Sequence, residues 1–209
     1  MFKAILRWCK EIISSARKSK AMLLERLTLF FRRISTGWVT LAGLVIFILF
    51  TALVLPGQSQ KAESVSRGAG SPDTSFFYSA SDLYRMAEAY GEQGRKDYVK
   101  ARFTFDLIFP IIYGVFLVTA LSWVFEKGFP TVSRWQLANL VPLLGMLFDY
   151  LENIAAAVVM MRYPASSGVV ASLAGIFTLL KWAFISLSFG LLVIGFAVGL
   201  WKRKIKPRK

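Results

Sequence analysis

The chain has 209 residues, of which 56% are apolar and 18% charged, and its formal net charge is +14. The apolar residues gather in long blocks between basic segments, which is typical of integral membrane proteins. With no histidine and one cysteine, Cys9, the sequence excludes an intrachain disulfide, a histidine-ligated metal and a histidine-dependent catalytic pair.

Residues 1–36 form a basic segment with nine Lys/Arg and two acidic residues. At its start, apolar residues recur at helical spacing while basic residues take the other side. The apolar positions are Phe2, Ile5, Leu6, Cys9, Ile12 and Ile13. We therefore predict a basic amphipathic helix, which either lies on an anionic lipid surface or serves only to set the topology.

Four apolar segments are long enough to cross a bilayer as helices. They cover residues 37–56 and, approximately, residues 103–125, 136–161 and 178–200. The first is interpreted as a retained anchor, because the 36 residues before it are too many for a signal-peptide n-region, and its cleavage is left open as the alternative. The pattern predicts an all-α integral membrane protein, a four-transmembrane-helix bundle spanning residues 102–201 together with the first span.

Basic residues at both ends of the chain predict its orientation. Residues 202–209 hold six Lys/Arg and no acid, and residues 1–36 are also basic. By the positive-inside rule both termini are cytoplasmic, in a multi-pass protein of the inner membrane. The same placement explains the net charge through topology and anionic lipid contacts, so no nucleic-acid partner is expected. A homo-oligomeric state is left open.

Residues 57–101 are then external. The Ser/Gly/Gln-rich part, 57–75, is typical of a flexible linker. A short outer-face helix is expected at about 79–93, capped by Ser79 or Ser81 and broken or bent at Gly91 and Gly94. Its apolar stripe would consist of Leu83, Met86, Ala87 and Tyr90.

Ionisable residues interrupt three of the spans. Because such residues are costly in lipid, they usually face the protein interior and mark a functional site. Asp149, Glu152 and Asn153 share one helix face, with Asp149 expected near the midplane. Asp106 and Lys181 are expected in the same outer half on neighbouring helices, and Arg102 is expected at the outer rim.

These six residues are the candidate binding cluster. Three acids against two bases leave about one surplus negative charge, held by a proton or by a bound cation. A purely structural clasp between helices is the alternative interpretation.

The segments YGEQGRKDY, DLIFPIIYG, FDYLEN, RYP and LKW follow one another between residues 77 and 200. In this order they resemble a group of small bacterial four-helix integral membrane proteins without a known activity. The resemblance implies architecture and matching positions: Gly94, Arg95, Asp106, Pro110, Tyr113, Asp149, Glu152, Asn153, Pro164 and Lys181. A lesser likeness is to sterol-isomerase-type four-helix proteins, but the histidine expected for that activity is absent.

Three functions stay open at this point. The first is binding or transport of a cation or an amphiphile at the cluster. The second is a lipid- or isoprenoid-modifying enzyme with Asp149 or Glu152 as acid or base, although no paired acidic motif or Gly-rich phosphate loop supports it. The third is an assembly or scaffold protein in which the cluster only joins helices. No catalytic residue, cofactor or metal ligand is predicted.

Overall fold

The computed structural model describes residues 2–130 and 133–205, and it describes side chains from Ser14 to Lys202 except at 16, 17, 131 and 132. The predicted amphipathic face between Phe2 and Ile13 and the last four residues of the basic tail therefore lie outside the description. Seven helices make up the described chain: α1 Phe2–Ile34, α2 Gly37–Leu49, α3 Leu55–Ser66, α4 Ala80–Arg102, α5 Phe105–Gly128, α6 Val141–Arg162 and α7 Gly168–Ile205. No strand occurs within these described ranges, and the predicted all-α class is confirmed.

Four helical stretches are long and apolar enough to cross a membrane, as predicted for a multi-pass protein. They cover Gly37–Ser66, Ala80–Gly128, Arg134–Arg162 and Gly168–Lys202. Helices α6 and α7 pack along one another, α5 packs against both, and α2 packs against α5. The first span therefore lies at the edge of the bundle, and many of its large apolar side chains remain exposed for lipid.

One end of the bundle is rich in basic residues. Arg32 of α1 lies 3.4 Å from Glu126 of α5, and the Lys202 ammonium donates a hydrogen bond of 2.7 Å to the Gly128 carbonyl. We call this end, which also carries Lys127, the basic end, and the opposite end the far end.

The segment expected as a flexible linker begins as helix. After one π-helical turn, Phe50–Val54, the first span continues as α3 to Ser66. The Leu55 amide donates to the Phe50 carbonyl, five residues earlier, just before Pro56, which has no amide hydrogen to donate. Gln, Lys, Ala and Glu then sustain the helix, and α3 packs against α4. The linker prediction was wrong for residues 57–66, because their polar composition gives no indication that they pack against α4.

Helix α4 begins where the sequence predicts a cap. The Ser79 hydroxyl accepts a hydrogen bond from the Asp82 amide, and the Asp82 carboxylate accepts one from the Ser79 amide. All four residues of the predicted apolar stripe are buried against α6 and α7. Gly91, with φ at +65°, bends the helix as expected, but α4 continues to Arg102 instead of ending near residue 93.

The last two spans differ from their predicted bounds. Residues 134–140 form a 3-10 helix, and α6 begins only at Val141, next to Pro142. Helix α7 is continuous from Gly168 to Ile205, so residues 168–177 extend the span expected at 178–200 without a break.

Candidate functional site

The six residues predicted as a binding cluster meet in one network at the far end. Lys181 forms an ion pair with Glu152, and its ammonium also lies 3.7 Å from an oxygen of Asp149. Arg102, the last residue of α4, lies 2.9 Å from Asp106, at the start of α5. Asn153 joins the two halves, because its carbonyl oxygen accepts from Arg102 at 3.2 Å and its amide donates to Asp149 at 3.4 Å.

Three further residues complete this polar network. Both carboxylate oxygens of Asp73 pair with the Arg102 guanidinium. The Tyr78 hydroxyl donates to Glu152 at 3.3 Å, and the Tyr113 hydroxyl donates to Asp149 at 3.0 Å. Tyr113 follows Asp106 by two helical turns, so its spacing in the sequence already indicates that both residues lie on the same face of α5. No such pattern pointed to Asp73, because it lies in the segment interpreted as a linker.

A short segment just before α4, residues 71–78, brings Asp73 and Tyr78 to the network; we call it the outer strap. The Trp182 indole of α7 donates a hydrogen bond of 3.1 Å to the Ser75 carbonyl. Gly175 permits close packing, because a Cβ there would collide with the Tyr78 carbonyl. The strap is therefore fixed on α7 by contacts on both sides of Phe76, which itself packs against Trp182.

The pairing with Arg102 changes the pKa of the Asp73 carboxyl. Burial tends to raise the pKa of the Asp73 carboxyl, but the positive charge and hydrogen bonds of Arg102 outweigh it. The pKa consequently lies below its ordinary value. Asp73 is therefore ionised at neutral pH and neutralises Arg102.

Counting charges separates the network into two parts. It contains four carboxyl groups, on Asp73, Asp106, Asp149 and Glu152, but its only cations among the described residues are Arg102 and Lys181. The tightest pairs are Asp73 with Arg102 and Glu152 with Lys181. Asp106 and Asp149 remain without a cation of their own, and we call them the surplus carboxyls.

Both surplus carboxyls line a cavity of about 840 Å³. Its other walls are largely apolar or aromatic: Phe47, Leu55, Phe105, Phe109, Tyr113, Trp182, Ile185 and Phe189. Glu152 is 1% exposed and does not line the cavity. At the rim Lys61, Lys100 and Asp97 are exposed, so water screens their charges. Asp73, Arg102 and Lys181 also line the cavity, so it meets every charged residue of the network except Glu152.

The network lies far from the basic end. Lys181 precedes Lys202 by 21 residues of one helix, which corresponds to roughly 30 Å at the α-helical rise. Asp149 contacts Lys181 and therefore lies at the same level, even though it is close to the start of α6. The 3-10 segment before α6 accounts for the extra distance from the basic end.

One side of the cavity is open. In the described part of the chain α3 packs mainly against α4 and makes no extensive contact with α7. Toward the basic end, Phe47 and Phe189 approach one another with ring centroids 6.4 Å apart. Phe189 lines the cavity and is nevertheless 38% exposed. We therefore interpret the gap between α3 and α7 as a sideways opening.

Among the described residues, no three Cys, Asp or Glu side chains lie close enough together to hold a metal ion.

Comparison with known proteins gives no match: neither a protein-family model nor a curated protein nor a solved structure is similar to this chain. The resemblance to small bacterial four-helix proteins consequently stays a prediction, and the function must be argued from the geometry of the site.

Proposed function

We propose that this chain is a multi-pass protein of the inner membrane that binds an organic cation in the far-end cavity. The observation that carries the proposal is the pair of surplus carboxyls, Asp106 and Asp149, on the cavity wall. Among the residues described, each shares its only cation with a better-matched acid.

Electrostatics gives the reason. An ionised carboxylate away from water is unfavourable unless an opposite charge or a proton compensates it. Two surplus carboxyls therefore leave the empty cavity with two protons, or with two negative charges that attract a cation. A bound cation gains their attraction without first breaking the Asp73–Arg102 or Glu152–Lys181 pair.

The cavity walls favour an organic cation over a small, fully hydrated ion. Aromatic rings attract alkylammonium groups through their faces, and apolar walls remove the alkyl surface from water. Phe109, Tyr113 and Trp182 supply such rings beside the carboxyls.

The structural clasp accounts for only half of the network. Glu152–Lys181 joins α6 to α7, and Asp73–Arg102 joins the outer strap to α4. A clasp would need no further acids, yet Asp106 and Asp149 add two. No observation on the described residues favours a lipid-modifying enzyme over binding.

The basic end supports the predicted orientation. If Arg32, Lys127 and Lys202 lie at the cytoplasmic surface, the network lies about one hydrocarbon thickness away, at the external surface. In this arrangement the basic terminal segments contact anionic lipids and the cavity lies in the external part of the bundle.

Equilibrium binding to protein in neutral maltoside micelles tests the proposed function. The probes are tetramethylammonium and decyltrimethylammonium, each corrected for its uptake by protein-free micelles. We expect Asp106→Asn and Asp149→Asn each to weaken binding about tenfold or more, because each removes roughly one charge interaction.

Glu92→Gln is the matched control, since Glu92 is exposed on α4 and does not line the cavity. It should bind both probes like the wild type. Wild-type protein that binds neither probe, or variants that all bind equally, would contradict the proposal.

A further inference from the structure

We infer that the ligand is a membrane-dissolved amphiphile with an amine or quaternary ammonium headgroup and an apolar tail, which reaches the cavity sideways from the bilayer. This inference rests on the proposed function, since it requires that the surplus carboxyls bind a cation. It adds the chemistry of the rest of the ligand and the route by which the ligand arrives.

The cavity is amphipathic along the bundle axis. The surplus carboxyls occupy one level, together with Lys181 of α7. Ile185 and Phe189 line the cavity four and eight residues further along α7, roughly 6 and 12 Å toward the basic end. A ligand whose charge meets the carboxyls can therefore extend an apolar tail along this wall.

On the opposite side of the network, the cavity wall includes polar side chains. There α3 contributes Gln58, Ser59 and Lys61, which are polar. A tail directed this way would meet polar groups and water, so the apolar tail is expected to run toward Phe47 and Phe189. The cavity therefore specifies a ligand with a charged group at one end only.

Where Phe189 borders it, the sideways opening leads to the lipid. It lies between α3 and α7, and its border includes Phe189, which is partly exposed on a helix whose neighbouring side chains are apolar. Leu187 and Val193, on the same stretch of α7, are 48% and 69% exposed, as expected for a lipid-facing surface. A bilayer-dissolved tail passes through this opening without crossing water.

The level of the network matches the headgroup of such an amphiphile. Lys181 lies roughly 30 Å from Lys202, which is close to the hydrocarbon thickness of a bilayer. A leaflet amphiphile at the far end therefore already holds its headgroup at the depth of Asp106 and Asp149. Lateral movement then brings charge and carboxyls together while the tail stays in apolar surroundings.

Tail-length dependence tests the inference in the same neutral micelles. Decyltrimethylammonium and tetramethylammonium share one headgroup, so a difference in affinity reports the tail. Each buried methylene contributes a factor of about four. We expect the decyl compound to bind at least about a hundredfold more tightly after correction for uptake by protein-free micelles.

A variant of the apolar wall separates the tail from the headgroup. Phe189→Ala should weaken decyltrimethylammonium binding severalfold and leave tetramethylammonium binding unchanged, because Phe189 lies outside the polar network. A decyl compound with a photoreactive diazirine at the end of its tail should label α2 and α7 around Phe47 and residues 185–189.

These experiments distinguish failure of the amphiphile inference from failure of the proposed cation binding. If both cations bind equally and Asp106→Asn weakens both, the amphiphile inference is overturned while cation binding stands. Labelling confined to α3 residues 58–65 would also overturn it, because the tail would then point away from the apolar wall. If neither cation binds, both proposals fall together.

Discussion

At the scale of single residues, the polar network combines two functions that polar groups can have inside a membrane protein. Arg102 and Lys181 each neutralise a close carboxylate and thereby join separate parts of the chain. Asp106 and Asp149 are two further carboxyl groups that these joints do not need. Because the two groups of residues differ in pairing, substitution of a paired residue should mainly reduce stability. Substitution of a surplus carboxyl should mainly weaken binding.

Removing Lys181 should destabilise the fold more than removing a surplus carboxyl. Lys181→Met leaves Glu152 and Asp149 buried without a cation, and breaking such a pair costs about 3–5 kcal/mol. Asp106→Asn and Asp149→Asn should stay within about 1 kcal/mol of the wild type, because they relieve repulsion between acids. Thermal unfolding in maltoside micelles measures the order.

The control for this comparison is Lys96→Met, which removes an exposed, water-screened pair with Glu92 and should therefore barely change the stability. An unfolding temperature for Lys181→Met equal to that of Lys96→Met would show that the buried pairs do not hold the bundle. A large loss of stability in Asp106→Asn would show instead that this carboxyl is structural.

The polar residues within the spans could be predicted to lie together, because helical periodicity and the cost of burying a charge in lipid both restrict where they can lie. Asp149, Glu152 and Asn153 share a face by spacing alone, and Lys181 is the cation nearest to them in depth. Asp73 could not be found in this way. Its role depends on where the outer strap folds, and nothing in a polar Ser/Gly-rich composition records that packing.

At the scale of elements, the main departure from the sequence expectation is α3. A polar stretch after Pro56 and Gly57 is typical of a linker, but the stretch continues a helix that is already formed and therefore avoids the cost of nucleation. The π-helical turn before it places Phe50 against Phe105 and Phe109, with ring centroids 5.4 and 5.8 Å away. The first span and its continuation α3 consequently form one wall of the cavity.

Helix α4 illustrates the opposite case, in which local signals were sufficient. A serine cap, an apolar stripe and a glycine bend are all encoded within a few residues. The cap is at Ser79, one of the two predicted positions, and the bend is at Gly91 but not at Gly94. Only the length of α4 was missed, since the residues after Gly91 are polar and their burial depends on α3 and the strap. Gly94, for example, packs against Val65 of α3.

At the scale of the whole molecule, the bundle has two chemically different ends. The basic end holds Arg32, Lys127 and Lys202, and the far end holds the surplus carboxyls and the cavity. By the positive-inside rule we expect the basic end in the cytoplasm. With this orientation, the proposed ligand would enter the cavity from the external leaflet.

Cysteine labelling tests this orientation in a background that carries Cys9→Ser. Ser81 is exposed at the start of α4, near the far end, and Ser15 is exposed on α1. A membrane-impermeant maleimide should label Ser81→Cys in intact cells and Ser15→Cys only after lysis. The reverse pattern would place the cavity on the cytoplasmic side.

The central claim is that the far-end cavity carries surplus negative charge available to a ligand. The most direct test compares decyltrimethylammonium with decyl sulfate, which has the same tail and the opposite charge, in neutral micelles. We expect the wild type to prefer the cation at least tenfold. The Asp106→Asn/Asp149→Asn double variant should lose or reverse this preference, because Arg102 and Lys181 remain. Wild-type protein that binds decyl sulfate as tightly as the cation would contradict the account.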